Sequence, residues 1–345
     1  MSGPATGLAR DGLARDGLAR DGLAEDGRRA DRLAGDTRTS AAGRLLAFVH
    51  ERSPLRVYLT YAVLWVLALS GALHLATPDA PAWRLDLSLA AEVATVWLML
   101  LFGRIVDEQK DLEYDRVHNP GRPLPRGAVS VLELRIAMAA VVVLVLALNA
   151  WSHPAATVLL VVDLGYICLL VPLDRLSTRV RDGLFLNLLV SYPVQLMLSV
   201  QIWLFFLDET GTGPHWSAPA LIAMVAGVFL HVEFARKTSR APVPGAHLYS
   251  NVVGARGAAA LTVGMALAAV LIDLVVLRPW EVSGPALPTA WLPLTALGFV
   301  WMGARRFRAA GTTVWPAALG MGFLAWFYLG LTVQSLAVGT IDIAW

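Results

Sequence analysis

Polarity divides the chain into two parts. The first 45 or so positions are polar, and from Val57 onward long apolar runs alternate with short polar links. A helix that crosses a bilayer needs about 20 mostly apolar residues. Nine runs meet that length, centred on 57–76, 86–105, 132–151, 155–173, 184–207, 217–235, 256–277, 288–304 and 314–337. Several links carry Pro punctuation, at Pro78 and Pro81, Pro120 to Pro125, Pro154, Pro214, Pro242 and Pro244, and Pro279. The pattern predicts an all-α polytopic membrane protein, with nine transmembrane helices bundled within residues 46–345.

The polar start is different. Residues 7–26 read GLARD three times and then GLAED, a period of five. Four such copies are too few to bury a continuous core, and a Gly at every fifth position opposes a stable helix. Residues 1–45 are therefore expected to be a disordered, repeat-bearing tail. No cleavable leader is expected, because the first apolar run starts so late.

Composition agrees with a membrane domain. The chain of 345 residues is 57% hydrophobic and 16% charged, against about 45–50% and about 25% in soluble domains. The single cysteine, Cys168, lies inside an apolar run and excludes a disulfide scaffold. The net charge is only +2, with the cations scattered over separate short loops, which argues against a nucleic-acid partner.

The cations also test the helix count. Cytoplasmic loops collect Lys and Arg. With the N-terminus inside, the inner segments hold ten basic residues up to Arg56, six from Arg104 to Arg135, three from Arg175 to Arg181, four from Arg236 to Arg256 and three from Arg305 to Arg308. Only Arg84 and Arg278 remain outside. A wrong count would scramble this alternation, so the N-terminus is expected in the cytoplasm and the C-terminus outside.

One inner segment carries unusual chemistry. Directly after the second span the chain reads Asp107-Glu108-Gln109-Lys110-Asp111-Leu112-Glu113-Tyr114-Asp115, with five carboxylates in nine residues. Asp107, Asp111 and Asp115 recur every four positions, which on a helix stacks them along one face. Like charges so spaced are destabilising unless something neutralises them. A divalent cation would do so, because carboxylate oxygens are the ligands that magnesium takes alongside substrate phosphates. The other reading is a solvated acidic loop that caps a span.

These residues resemble a known family. Asp107 to Asp115, followed by Arg122-Pro123-Leu124-Pro125-Arg126-Gly127, is similar to the N-D-x-x-D-x-x-x-D and R-P-L-P-x-G elements of the first aspartate-rich motif in UbiA-type intramembrane prenyltransferases. Asp107 and Glu108 stand where that family has Asn and Asp, while Asp111 and Asp115 match its next two acids. The resemblance spans residues from about 50 to 345. It implies a nine-helix fold, magnesium, an isoprenyl diphosphate, a lipophilic and usually aromatic acceptor, and active-site loops on the cytoplasmic side of the cell membrane.

The second motif departs from the family. After the sixth span the chain reads His231-Val232-Glu233-Phe234-Ala235-Arg236-Lys237-Thr238-Ser239-Arg240, then Tyr249-Ser250 and Gly254. Glu233 can stand for the first acid, but Lys237 occupies the position of the second. Either the cations replace one metal and bind diphosphate directly, with Lys237 as a point charge and Arg240 as a bidentate donor, or this branch has lost diphosphate chemistry. Positive-inside bias alone would also place cations here. In the third inner segment, Arg175 aligns with a family cation that contacts phosphate.

The resemblance thus implies a magnesium site built from Asp107, Glu108, Asp111 and Asp115, with Glu233 at a possible second site. Arg122, Arg175, Lys237 and Arg240 would stabilise the leaving diphosphate. A terpene cyclase of the same fold, or a lipid-phosphate binding or transport protein without catalysis, would share these features. Within the spans, Glu92, Asp163 and Asp273 are ionisable, with Asp273 expected near an interface. Trp83, Trp151, Trp216, Trp280, Trp315 and Trp345 lie near span ends as expected interfacial anchors, and Trp65 is expected to pack.

Overall fold

A computed structural model describes residues 40–241 and 246–343. The pentapeptide repeats, Pro242, Pro244 and Trp345 lie outside the described residues. In chain order the helices are α1 (Ala41–Arg52), α2 (Leu55–Ala76), α3 (Leu87–Lys110), α4 (Leu112–His118), α5 (Val131–Asn149), α6 (Pro154–Leu176), α7 (Thr178–Asp182), α8 (Leu184–Ser191), α9 (Pro193–Thr210), α10 (Ser217–Arg236), α11 (Tyr249–Leu277), α12 (Leu287–Ala290), α13 (Leu292–Thr295), α14 (Leu297–Arg308) and α15 (Ala317–Val338). Strands β1 (Trp83–Leu85) and β2 (Ile341–Ile343) pair in parallel, with Trp83 opposite Ile341. Among the described residues nine helical stretches are long and apolar enough to cross a membrane, from Leu55–Ala76 to Ala317–Val338.

The nine stretches fall on the nine runs expected from the sequence, with internal differences that have local causes. The fifth is broken between α8 and α9 at Tyr192, because Pro193 has no N–H to continue the ladder. The eighth, Gly284–Arg308, is broken into α12, α13 and α14 around Pro288 and Pro293. The seventh begins at Tyr249, earlier than its apolar run, and kinks at Gly254. There φ is +73°, a conformation that glycine adopts without steric penalty. Helix α1 starts at Ala41, within the segment expected as tail. Ser40 caps it, its hydroxyl accepting from the Gly43 N–H at 3.2 Å.

The chain forms two compact units. Among the described residues the first comprises 40–54 and 107–139. Within it Ser130 and Glu133 form a reciprocal cap at the start of α5. The Ser130 N–H donates to Glu133 Oε2 at 2.8 Å, and the Glu133 N–H donates to Ser130 Oγ at 3.2 Å. Arg44 pairs with the same Glu133, and Arg126 with Glu51 at 2.9 Å, so α1 is tied to both ends of the loop that leads into α5.

Among the described residues the second unit comprises 55–106, 140–241 and 246–343. Its largest packing surfaces are α10 on α11 and α15 on α2, with α10 also against α2 and α15. Lipid tails are as apolar as leucine, so such helices associate through close packing. At Gly227 on α10 an added Cβ would lie 3.2 Å from the Met265 carbonyl oxygen of α11, so the small residue permits the approach. His231 adds a polar tie between the same helices, its Nδ1 donating to the Thr262 carbonyl at 2.8 Å. Trp65 is buried at 1% exposure with its ring 4.7 Å from Phe229. Trp151, Trp216 and Trp280 are exposed, as anchors should be, but Trp83 and Trp315 are buried in the packing. Asp273, Asp163 and Glu92 are buried in the packing, and Glu92 accepts a hydrogen bond from Gln201 at 2.9 Å.

Candidate active site

In the first unit the acidic ladder begins at the end of α3 and continues into α4. Helix α3 closes at Lys110, Asp111 bends the chain (φ −87°, ψ 4°), and α4 starts at Leu112. The expected stacking survives the bend, because the helical hydrogen bonds run through it. The Asp111 N–H donates to the Asp107 carbonyl at 2.9 Å, and the Asp115 N–H donates to the Asp111 carbonyl at 2.8 Å. Burial rises along the ladder: Asp107 is exposed, Asp111 half-buried and Asp115 buried.

Each buried carboxylate of this motif has a positive partner. Asp115 is held by Arg122 of the R-P-L-P-R-G loop and accepts from Asn119 Nδ2 at 2.9 Å. Glu108, 1% exposed, lies 2.5 Å from Arg52 Nε of α1. Buried carboxylates need such compensation. Within residues 107–115 themselves the sequence holds five carboxylates and one cation, Lys110.

The donor set suits magnesium in kind. Among the described residues no three acidic, His or Cys side chains converge as a ready-made cage. Magnesium commonly takes only one or two carboxylates and leaves its other positions to water and phosphate. Asp107, Asp111 and Asp115, on successive turns, could supply such oxygens.

In the second unit the departure from the acidic pattern has a clear structural form. Glu233 sits on the last turn of α10 and both of its oxygens are ion-paired. Oε1 lies 2.6 Å from Lys237 Nζ, and Oε2 lies 2.6 Å from Arg236 Nη2. Tyr249 closes the cluster: its hydroxyl donates to Glu233 Oε1 at 3.4 Å, its ring lies 5.7 Å beneath the Lys237 ammonium, and its N–H donates to the Lys237 carbonyl at 3.0 Å. Arg240 faces elsewhere. Its guanidinium donates to the carbonyls of Arg308 (3.3 Å), Ala309 (2.5 Å) and Thr312, closing the C-terminal end of α14. Arg175 is exposed near the end of α6.

No family model matches the chain, and no curated protein matches it. Solved structures do. A UbiA homolog from Aeropyrum pernix K1, in its apo form, superposes with a TM-score of 0.55 at 18% identity over 80% of this chain and 97% of its own. A UbiA homolog from Archaeoglobus fulgidus bound to DMAPP and Mg2+ gives 0.55 at 14% identity over 84% and 98%, and the same homolog bound to GPP and Mg2+ gives 0.51 over 82% and 98%. The chain has the UbiA fold. Within that fold, reading the sequence missed three residues. Arg52 and Asn119 hold the acids of the first motif, and Tyr249 holds Lys237. Tyr249 stands next to quoted motif residues, whereas nothing local marks Arg52, which lies 56 positions from Glu108.

Proposed function

We propose that this protein is an intramembrane prenyltransferase that ionises an isoprenyl diphosphate and passes the prenyl group to a lipophilic, aromatic acceptor. The acidic ladder of Asp107, Asp111 and Asp115 at the end of an apolar helix, in a chain with the UbiA fold, carries this reading. The Archaeoglobus homolog bound to DMAPP or GPP and Mg2+ supports it.

Magnesium would be held by one or two carboxylates of the ladder formed by Asp107, Asp111 and Asp115, and when bound it would neutralise charge on the diphosphate and make it a better leaving group. Arg122 orients Asp115 through its ion pair. A guanidinium has five N–H donors, so Arg122 seated on Asp115 retains donors for a phosphate oxygen. Glu108 braces α1 through Arg52. Lys237 supplies an ammonium to the negative charge that grows on the leaving group, while Arg240 fixes the loop that carries Lys237. Arg175 is assigned a supporting contact to phosphate. The apolar spans exclude the water that would quench an allylic cation.

The test is to incubate membranes containing the protein with C10 to C20 isoprenyl diphosphates and a panel of phenolic acceptors. Prenylated acceptor is the expected product. Cyclised hydrocarbon formed with or without acceptor would make the protein a cyclase, and no diphosphate release at all would remove the catalytic reading. We also place the acidic loops in the cytoplasm and the C-terminus outside. A reporter fused after Trp345 that works only in the cytoplasm should stay silent, and an active one would reverse the topology.

A further inference from the structure

We infer that the loop following α10 binds phosphate oxygens through the Lys237 ammonium and holds no divalent cation of its own, so the chain carries one metal-bearing loop. This rests on the proposed function and specifies how its second motif works. Three observations carry it. First, residues 233–240 contain three cations and one carboxylate, the reverse of the balance in residues 107–115. Second, both oxygens of the carboxylate are held by cations, Lys237 on Glu233 Oε1 and Arg236 on Oε2 at 2.6 Å each, whereas Asp115 pairs with one cation, Arg122, and with the neutral amide of Asn119. A divalent ion at Glu233 would have to displace both cations and then lie beside them, and like charges at such range repel strongly.

Third, Lys237 is held as a functional cation needs to be. Its carbonyl accepts from the Tyr249 N–H at 3.0 Å, and the carbonyl of the next residue, Thr238, accepts from the Trp315 N–H at 3.0 Å. The Arg240 N–H donates to the Thr313 carbonyl at 2.6 Å, so the loop is pinned on both sides of the lysine. Tyr249 is a positioning residue, 0% exposed, that places its ring under the ammonium and its hydroxyl on the partner carboxylate. An ammonium has three donors, so pairing with Glu233 leaves N–H groups for phosphate oxygens.

The experiment counts metal ions in the purified full chain. Mn2+ replaces magnesium, and an isoprenyl thiolodiphosphate of C10 to C20 length, which resists ionisation, replaces the substrate. Electron paramagnetic resonance and equilibrium dialysis should find one Mn2+ per protein–analogue complex. Two ions per complex would overturn the inference while leaving the proposed function standing. Failure of the wild type to bind the analogue with Mn2+ at all would bring down the proposed function and this inference with it. In Lys237→Gln the analogue should bind about tenfold or more weakly, as expected for losing a charged hydrogen bond, with the metal count still at one. Lys237→Arg should recover most of the loss. Unchanged affinity in Lys237→Gln would overturn the role given to the lysine.

Discussion

Asp115→Asn and, separately, Asp111→Asn should each lower magnesium-dependent release of diphosphate by about 10²–10³-fold, the cost of removing one group that stabilises charge in the transition state. Asn keeps the shape of Asp and one acceptor oxygen but removes the negative charge that attracts a hard divalent cation. Asp115 is the more informative site. It is buried, it stands on the same helical hydrogen-bond track as Asp111, and it is the partner of Arg122. Glu113→Gln provides the control. Glu113 is exposed within the same acidic stretch but off the i, i+4 ladder, so its loss should change the rate little. A ladder that merely solubilises the end of α3 would give three equal and small effects. Diphosphate release in purified protein at several magnesium concentrations separates the outcomes.

Arg52→Ala should destabilise the protein by about 3 kcal/mol, the scale for removing one partner of a buried ion pair. Glu108 is 1% exposed and lies 2.5 Å from Arg52 Nε. Without that guanidinium its charge loses a close counterion in a place where water cannot substitute. Thermal unfolding in detergent should show the loss. Arg52→Ala combined with Glu108→Gln should recover part of it, because the neutral amide no longer needs the cation. An additive double mutant would mean that the two side chains are not energetically coupled. Glu108 stands directly after Asp107, so a shift there would misplace the neighbouring acids of the ladder.

The helices were legible in the sequence because a bilayer demands length and apolarity, both of which are read along the chain. The basic loops gave an independent count. What sequence reading missed was set by local backbone chemistry or by contacts distant in sequence. Pro193, Pro288 and Pro293 break apolar runs that hydropathy treats as continuous. Helix α11 starts at Tyr249 because its first turns are helical without being apolar, with Ser250, Asn251 and Arg256 in them. The β1–β2 pair joins two three-residue strands at opposite ends of the second unit's sequence, and no pattern within either strand announces the other. Trp83 and Trp315 lie near span ends but pack inward, since position along a helix does not fix which side of it a ring faces.

The candidate site divides in the same way. Asp107, Asp111 and Asp115 could be placed on one face from spacing alone, and the hydrogen-bond track through Asp111 preserves that face despite the bend. The Lys237 substitution was also visible, but its meaning was not. The structure adds the paired oxygens of Glu233 and the Tyr249 ring under the ammonium, contacts that no spacing along the chain announces. Arg240 illustrates the converse. Its place in the sequence invited a phosphate role, and the carbonyls at the end of α14 take up its donors.

The central claim is that the acidic ladder binds an isoprenyl diphosphate through magnesium. Calorimetric titration of the purified wild-type chain with an ionisation-resistant isoprenyl thiolodiphosphate, with magnesium present and then with it chelated, tests this most directly. Saturable binding that vanishes on chelation, and that is also lost in Asp111→Asn, is the expected result. Equal binding with and without magnesium, or no binding under either condition, would contradict the account.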